Sequence, residues 1–295
     1  VPSDPDPQAP AVPGAVAVAF GVTVERSLGG RASRNWQVRR DGRALVLRET
    51  LRMPWQTPDT HAAAVHWRRR AQSVVRDRDW PAAEPIAEPV SVGDGWWTLE
   101  AFLPGSVPDT LSAERWGSLL AEFHGLEGVT GLGPQPGSFD QLAALSWRDP
   151  EAVIDACRDA EDRRWLTLRL RQARELAARC DLGAGPRHLV HGDFVTHNLL
   201  FTGRRLTGLL DFELATVDHR TAELVNVWRC RYDDRLLAYH AARPLADDEW
   251  PVLLLRWWSL LLGLAFVHLA AGRQPDRWEL DGLRRTTAIA ERLAP

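Results

Sequence analysis

The sequence predicts an α+β protein in two parts, a small β-rich N-terminal lobe followed by a larger, mainly helical C-terminal lobe. Three observations carry that expectation. Residues 12–49 break into short β-prone runs separated by turn signals. Residues 60–77, and most of the chain from 111 onward, place apolar residues at helical spacing instead. The 295 residues, 45% apolar and 25% charged, suit one large or two small domains and the composition of an ordered globular protein.

Residues 1–10 form an acidic, Pro-rich opening with no basic segment leading into an apolar one, so a disordered tail is expected here rather than a signal peptide. The first lobe is expected over 11–103. Val22 and Val24, then Trp36 and Val38, then Ala44–Leu47 supply its first strands, with Leu28-Gly29-Gly30-Arg31-Ala32-Ser33 and Asp41-Gly42 as the intervening turns. Over 60–77 the apolar side of a helix carries Ala64, Trp67, Ala71 and Val74–Val75, with Arg68–Arg70 expected outside. Pro85 to Leu103 is again β-prone and leads into a hinge near 98–103. The second lobe is expected over 104–295. It starts with a helix over 111–125 and two more over 149–180. A short strand at Leu189–Val190 and a hairpin of Leu199–Phe201 with Leu206–Leu210 follow, and helices resume near Ala222.

Composition excludes several chemistries. The formal net charge is −3, so no basic field favours nucleic acid. All 36 basic residues are Arg, which removes any Lys Schiff base and any phosphate-binding P-loop Lys. Cys157, Cys180 and Cys230 are odd in number and widely spaced, so reduced thiols in a cytoplasmic setting are expected, without disulfide or zinc. The apolar stretch Val252–Val267 is interrupted by Arg256 and falls short of the ~20 residues of a membrane span, so it reads as a core helix with no membrane partner.

The chemistry concentrates in 189–224. A strand delivers His191-Gly192-Asp193, Asn198 follows five residues after Asp193, and Asp211 ends the next strand. This order of Asp, Asn, hairpin and Asp is that of kinase catalytic and metal-binding loops. One carboxylate accepts or orients the proton of an attacking hydroxyl. An amide oxygen and a second carboxylate hold Mg²⁺ against nucleotide phosphates, because magnesium takes hard oxygen ligands. With three Asn in the chain, a chance His-x-Asp-x4-Asn has odds of roughly one in a hundred.

On these residues the sequence resembles the aminoglycoside phosphotransferase and choline kinase-like group of small-molecule kinases. His191-Gly192-Asp193…Asn198 and Asp211-Phe212-Glu213 match that group's two hallmark elements. Leu28-Gly29-Gly30…Ser33…Asn35-Trp36 resembles its nucleotide-covering loop, and Trp97 to Gly105 its hinge. The resemblance implies a bilobal protein-kinase-like fold and transfer of the γ-phosphate of ATP or GTP, with Mg²⁺, to a hydroxylated small molecule. It implies Asp193 as catalytic residue with His191 as a prop, and Asn198 and Asp211 as metal ligands. Nucleotide contacts would come from Arg48, Gly29, Gly30, Ser33, Glu100 and Phe102. His197, Glu213, Asp233 and Trp257 are weaker candidates for the acceptor site, and Glu223 is expected to cap or brace the following helix. The sequence departs from the group where a strand Lys should pair with a helix Glu. Arg48 stands in the strand, and Ala64-Val65-His66-Trp67 offers no carboxylate. An antibiotic or other secondary metabolite is the expected acceptor. A primary metabolite (an amino alcohol, homoserine or a sugar) and a catalytically silent kinase-like binding protein remain as alternatives, and the oligomeric state is left open.

Overall fold

The computed structural model describes residues 11–30, 33–183, 185–229 and 232–294; the tail over 1–10, Arg31 and Cys230 lie outside them. Contacts divide the chain into two compact units. The first comprises 1–111, 126–138 and 193–217, and the second 112–125, 139–192 and 218–295. The division does not follow chain order: the hairpin that the sequence placed in the helical part belongs with the β-rich part.

The first unit opens with α1 (Gly14–Phe20), followed by β1 (Thr23–Gly29), β2 (Ser33–Arg40) and β3 (Arg43–Thr50). α2 (Pro58–Arg76) intervenes before β4 (Val90–Val92) and β5 (Gly95–Ala101). The strands form one antiparallel sheet in the order β1-β2-β3-β5-β4. Asp41 and Gly42 both take positive φ, 51° and 77°, closing β2 onto β3 in a two-residue turn whose twist matches the strands. Alternation along the strands sends Trp36, Val38, Leu45, Leu47, Trp97 and Leu99 to one face, where they pack with Val16 and Phe20 of α1. Trp36 and Trp97 stack there with centroids 5.4 Å apart. The segment Ala15-Val16-Ala17-Val18 alternates like a strand, yet Pro13 before it, left-handed Gly21 after it and the i,i+4 pair Val16–Phe20 make it helical.

Arg48 and Thr98 are paired across β3 and β5, and Glu100 is paired with Val46, so all three occupy the opposite face. α2 starts from a Thr57–Thr60 capping box with Pro58 in its first turn. Its buried residues are His61, Ala64, Val65, Trp67, Arg68, Ala71, Gln72 and Val75. Arg68 thus belongs to the buried stripe, four residues after Ala64, and is not outside as its charge suggested.

The second unit holds α3 (Ala113–Phe123), α4 (Pro150–Asp155), α5 (Ala160–Ala177) and β6 (His188–Val190). The chain then returns to the first unit for β7 (Leu199–Thr202), β8 (Arg205–Leu209) and the start of β9 (Thr216–Asp218). α6 (Thr221–Arg229), α7 (Asp233–Ala242), α8 (Glu249–Ala270), α9 (Arg277–Arg284) and α10 (Ala288–Leu293) complete the second unit. α8 is its centre, packing against α4, α5, α6, α9 and α10. It is long and apolar enough to cross a membrane, but 78% of its apolar window is buried inside the protein. Arg256 within it forms a two-pronged ion pair with Asp218, each contact 3.0 Å long.

His61 on α2 gives the first unit a pH dependence. It is 2% exposed, its Nε2 has no hydrogen-bond partner among the described residues, and burial together with Arg68 and Arg52 lowers its pKa to about 4. A histidine held neutral stabilises the fold fully above its unfolded pKa near 6.5, and that stability is lost as pH falls from there to about 4. The shift corresponds to roughly 3 kcal/mol. Urea unfolding as a function of pH is expected to show a decline over this window, and His61→Gln is expected to flatten part of it. Superimposable pH profiles for the two proteins would remove His61 from the explanation.

Candidate active site

The Asp193–Asp211 segment lies wholly in the first unit, and backbone pairing sets its geometry. β7 and β8 pair Leu199 with Leu209, and Leu210 N donates to Asn198 O at 2.9 Å. Asn198 therefore lies opposite the residue before Asp211. The Asn198 amide nitrogen donates to the Asp193 carbonyl at 2.9 Å and to Asp193 Oδ2 at 3.0 Å. That commits the amide nitrogen to Asp193. Asp211 has φ 63° and ψ 71°, a left-handed conformation that costs a non-Gly residue about 1 kcal/mol or more and concentrates at functional sites. The hairpin is tethered on two sides. Ser106 exchanges backbone hydrogen bonds with Phe201, Thr207 Oγ1 donates to Pro104 O at 2.7 Å, and Leu209 N donates to Pro81 O at 2.8 Å.

Arg48 reaches this segment from β3. Its Nη1 lies 3.3 Å from Asp211 Oδ1 and 3.3 Å from Glu213 Oε1. The carboxylate that the sequence did not reveal is therefore present, supplied from beyond the hairpin and not from α2. Arg68 Nη1 approaches the same Glu213 Oε1 at 3.7 Å. Burial works against the charge of both guanidinium groups, with different outcomes. Asp211, Glu100 and Glu213 together outweigh it at Arg48, whose pKa is raised. Burial prevails at Arg68, helped by repulsion from Arg48, and its pKa is lowered despite Glu213. Burial also pushes the Glu213 carboxyl up from its ordinary range, with Asp211 adding to it and Arg48 and Arg68 pulling back.

The remaining candidates fall in varied settings. Gly29 and Gly30 have φ 77° and 131°, and Asn35 Nδ2 donates to Gly29 O at 3.0 Å, closing the turn. A Cβ on Gly30 would lie 2.1 Å from Ser33 O, so only glycine fits. Ser33 is buried and accepts from Asn35. Glu100 was expected among the nucleotide contacts; its backbone is paired with Val46 on one side and Pro85 on the other. What Glu100 brings to the site is its side chain, on the Arg48 face. Phe102, beyond the end of β5, is 40% exposed. His197 is exposed. Glu213 is buried beneath the two arginines, away from the acceptor role proposed for it. Trp257 is buried in the second unit against Trp228 and Gly282, as core and not as an open stacking wall. Asp233 Oδ2 accepts from Ile289 N at 3.1 Å and so caps the start of α10.

His191 and Glu223 lie in the second unit. The His191 ring is fully buried, edge-on to Phe123 at 6.2 Å. Glu223 Oε2 accepts from the backbone nitrogens of His191 at 2.5 Å and Gly192 at 2.9 Å. Glu223 therefore braces the peptide just before Asp193 in addition to sitting in the first turn of α6. The sequence showed only the second of these roles, because the partners are backbone atoms and carry no side-chain signal.

The model of the phosphotransferase enzyme family matches residues 23–255 of this chain. The chain belongs to that family. Among curated proteins it resembles the homoserine kinase of Gluconobacter oxydans, 27% identical over 182 residues, 54% of each chain. It also resembles that of Methylobacillus glycogenes, 33% identical over 158 residues, 46% of this chain and 48% of the relative. The chain spans about half the length of the curated relatives it matches. Among solved structures, aminoglycoside phosphotransferase APH(4)-Ia in ternary complex with AMP-PNP and hygromycin B has a TM-score of 0.64 at 18% identity, covering 94% of this chain and 96% of that one. The macrolide 2'-phosphotransferase of Brachybacterium faecium has a TM-score of 0.54 at 21% identity, covering 91% and 96%. At these identities the likeness is one of fold, and it is the kinase-like fold of this phosphotransferase family.

The brace has a measurable consequence. Removing the Glu223 carboxylate leaves two buried N–H groups without their acceptor, so Glu223→Ala is expected to cost about 2–4 kcal/mol in denaturant unfolding. Glu223→Gln keeps an acceptor oxygen and is expected to lose less than half as much. Equal losses in the two variants would mean the two hydrogen bonds contribute little.

Proposed function

We propose that this protein transfers the γ-phosphoryl group of ATP or GTP to a hydroxyl of a small molecule. The observation that supports the reading is the link of Asp193 to Asn198 at the start of the hairpin that leads to Asp211, with Arg48 held against Asp211. The donors fit magnesium: the Asp211 carboxylate and the Asn198 amide oxygen are the hard ligands it prefers. Arg48 Nε is buried without a hydrogen-bond partner among the described residues, and such an orphaned donor suits a phosphate oxygen. Asn198 Oδ1 and Asp211 would hold the ion, which when bound neutralises phosphate charge and fixes its geometry.

In this reading Asp193 accepts or orients the proton of the acceptor hydroxyl. The oxygen–phosphorus bond to the acceptor forms as the bond to the nucleoside diphosphate breaks, and the proton passes from Asp193 to solvent. Asn198 Nδ2 keeps the Asp193 carboxylate from rotating. Arg48 offers phosphate a cation that stays charged near neutral pH. The silent-binder alternative drew on a missing partner for Arg48, and Glu213 and Asp211 take that ground away.

For the acceptor, a hydroxylated antibiotic or other secondary metabolite is favoured by the fold neighbours, whose names include hygromycin B, spectinomycin and macrolides. A second reading, homoserine, is favoured by the curated relatives. A strongly polycationic acceptor gains little support from the acidic clusters in the second unit. Asp233 caps α10, and Glu249 is paired with Arg220.

Purified protein with ATP and Mg²⁺, screened by phosphate-mass shift against homoserine, hygromycin B, spectinomycin and macrolides, tests the reading and separates the acceptors. Once an acceptor is found, Asp193→Asn is expected to reduce turnover by on the order of 10²–10⁴ while leaving nucleotide binding nearly intact. Asp211→Ala is expected to abolish turnover at any Mg²⁺ level, and Asn198→Ala to shift the magnesium titration to higher concentration. Turnover of Asp193→Asn within twofold of wild type would exclude it as the proton acceptor.

A further inference from the structure

Glu213 is in an unusual position for a carboxylate. Its side chain is 4% exposed, and one oxygen serves two guanidinium groups from different elements, Arg48 of β3 and Arg68 of α2. Arg68 Nε donates to Ala64 O at 3.2 Å within its own helix, which fixes the direction of that guanidinium. Arg48 Nε is buried without a hydrogen-bond partner among the described residues, and the Ser33 hydroxyl supports the Glu213 carboxylate. A cavity of about 20 Å³, room for roughly one water, is lined by Arg48, Arg68, Gln72, Thr98, Glu100 and Phe212.

We propose that Glu213 is the positioning residue of a two-arginine phosphate clamp, orienting Arg48 toward nucleotide while Arg68 supplies the second cation that balances it. The proposal rests on the phosphotransferase reading of the same site. Charge balance favours it. Among the groups in direct contact, Arg48 and Arg68 carry two positive charges against Glu213 and Asp211, and Glu100 adds its charge from the Arg48 face. When Asp211 serves a metal ion, its charge is no longer available to Arg48. Glu213 is then the carboxylate still in contact with both guanidinium groups, and the trio keeps one net positive charge for phosphate. With Arg68 absent, Glu213 and Asp211 would share a single cation. Arg68 and Arg48 approach the same Glu213 oxygen, so the α2 position faces Arg48 closely enough for a carboxylate placed there to take over Glu213's part.

The test compares wild type, Glu213→Gln, Arg68→Met and the double variant Arg68→Glu/Glu213→Gln. Calorimetric titration with ATP–Mg²⁺ and with adenosine is combined with steady-state kinetics wherever transfer is measurable. Glu213→Gln is expected to weaken ATP binding and raise KM for ATP by about 10-fold, with adenosine affinity and kcat changed by under about threefold. Arg68→Met is expected to weaken ATP binding by about 3–10-fold, and it carries the test if Glu213→Gln does not fold. The double variant, with the carboxylate moved to the helix, is expected to recover at least part of the loss of Glu213→Gln. Unchanged ATP affinity in folded Glu213→Gln or Arg68→Met would overturn the proposal, as would parallel losses for ATP and adenosine, or a double variant no better than Glu213→Gln. The two readings fail separately. ATP affinity that depends on Glu213 without transfer to any acceptor removes the transferase reading and keeps the clamp. Transfer with Glu213-independent ATP affinity does the reverse.

Discussion

A guanidinium withdrawn from bulk water must be met by carboxylates, and much of the first unit is organised around meeting that demand at Arg48. Burial opposes its charge, and Asp211, Glu100 and Glu213 together outweigh the opposition. Each of the three comes from a different structural decision. The β3–β5 register brings Glu100 to the Arg48 face, the end of β8 delivers Asp211, and the short turn over 212–214 delivers Glu213. Their common target explains why Asp211 persists in a left-handed conformation. A normal backbone there would send the carboxylate elsewhere, and the ion pair with Arg48 offsets the cost.

The same constraint accounts for the tethering of the hairpin. A carboxylate contributes to Arg48 and to a metal only if its position is fixed to a fraction of an ångström. Hydrogen bonds from the segments around Pro81 and over 104–106 secure the hairpin from two directions. Gly105 belongs to this arrangement: with φ 115°, a Cβ on it would lie 2.5 Å from Thr207 Oγ1, so the contact requires glycine. Glu223 serves the same end on the other side of Asp193, holding the backbone of His191 and Gly192. Backbone hydrogen bonds and side-chain-to-backbone links therefore position the hairpin, and direct side-chain contacts of Arg48 with Asp211 and Glu213, and of Asn198 with Asp193, complete the site.

These links mark the limit of what the sequence discloses. The hairpin turn at Asp41-Gly42, the helix over 58–76, the core helix at 249–270 and the strand, loop and hairpin that carry Asp193, Asn198 and Asp211 were all legible, because each has a local pattern of period, turn chemistry or spacing. α1 was not, since four alternating small residues read as a strand until Phe20 and the flanking Pro13 and Gly21 are considered. Arg68 was misread for a different reason. Charge argues for an exposed position, and only the partner carboxylate 145 residues away makes a buried one tolerable. Glu213 was seen but assigned to the acceptor, because sequence proximity to Asp211 does not reveal which way a side chain turns after a left-handed residue. Trp257 of α8, a weaker candidate for the acceptor site, is used as core, packed around Trp228 and Gly282.

The absence of lysine has a structural consequence at this site, whatever its origin in coding bias. A lysine buried at position 48 could relieve poor surroundings by giving up its proton, since burial lowers its pKa toward the neutral range. Arginine has no such relief. Once the strand carries arginine, its charge is permanent, and every arrangement of the site has to neutralise it, with or without nucleotide and metal. Asp211, which in the proposed function would be shared with a metal ion, would not suffice alone in both conditions. A second carboxylate that never leaves, Glu213, meets the requirement, and its own burial beside Asp211 then calls for a further cation. Arg68 on the inner stripe of α2 is that cation. The four-residue cluster thus follows step by step from the choice of a side chain that cannot discharge.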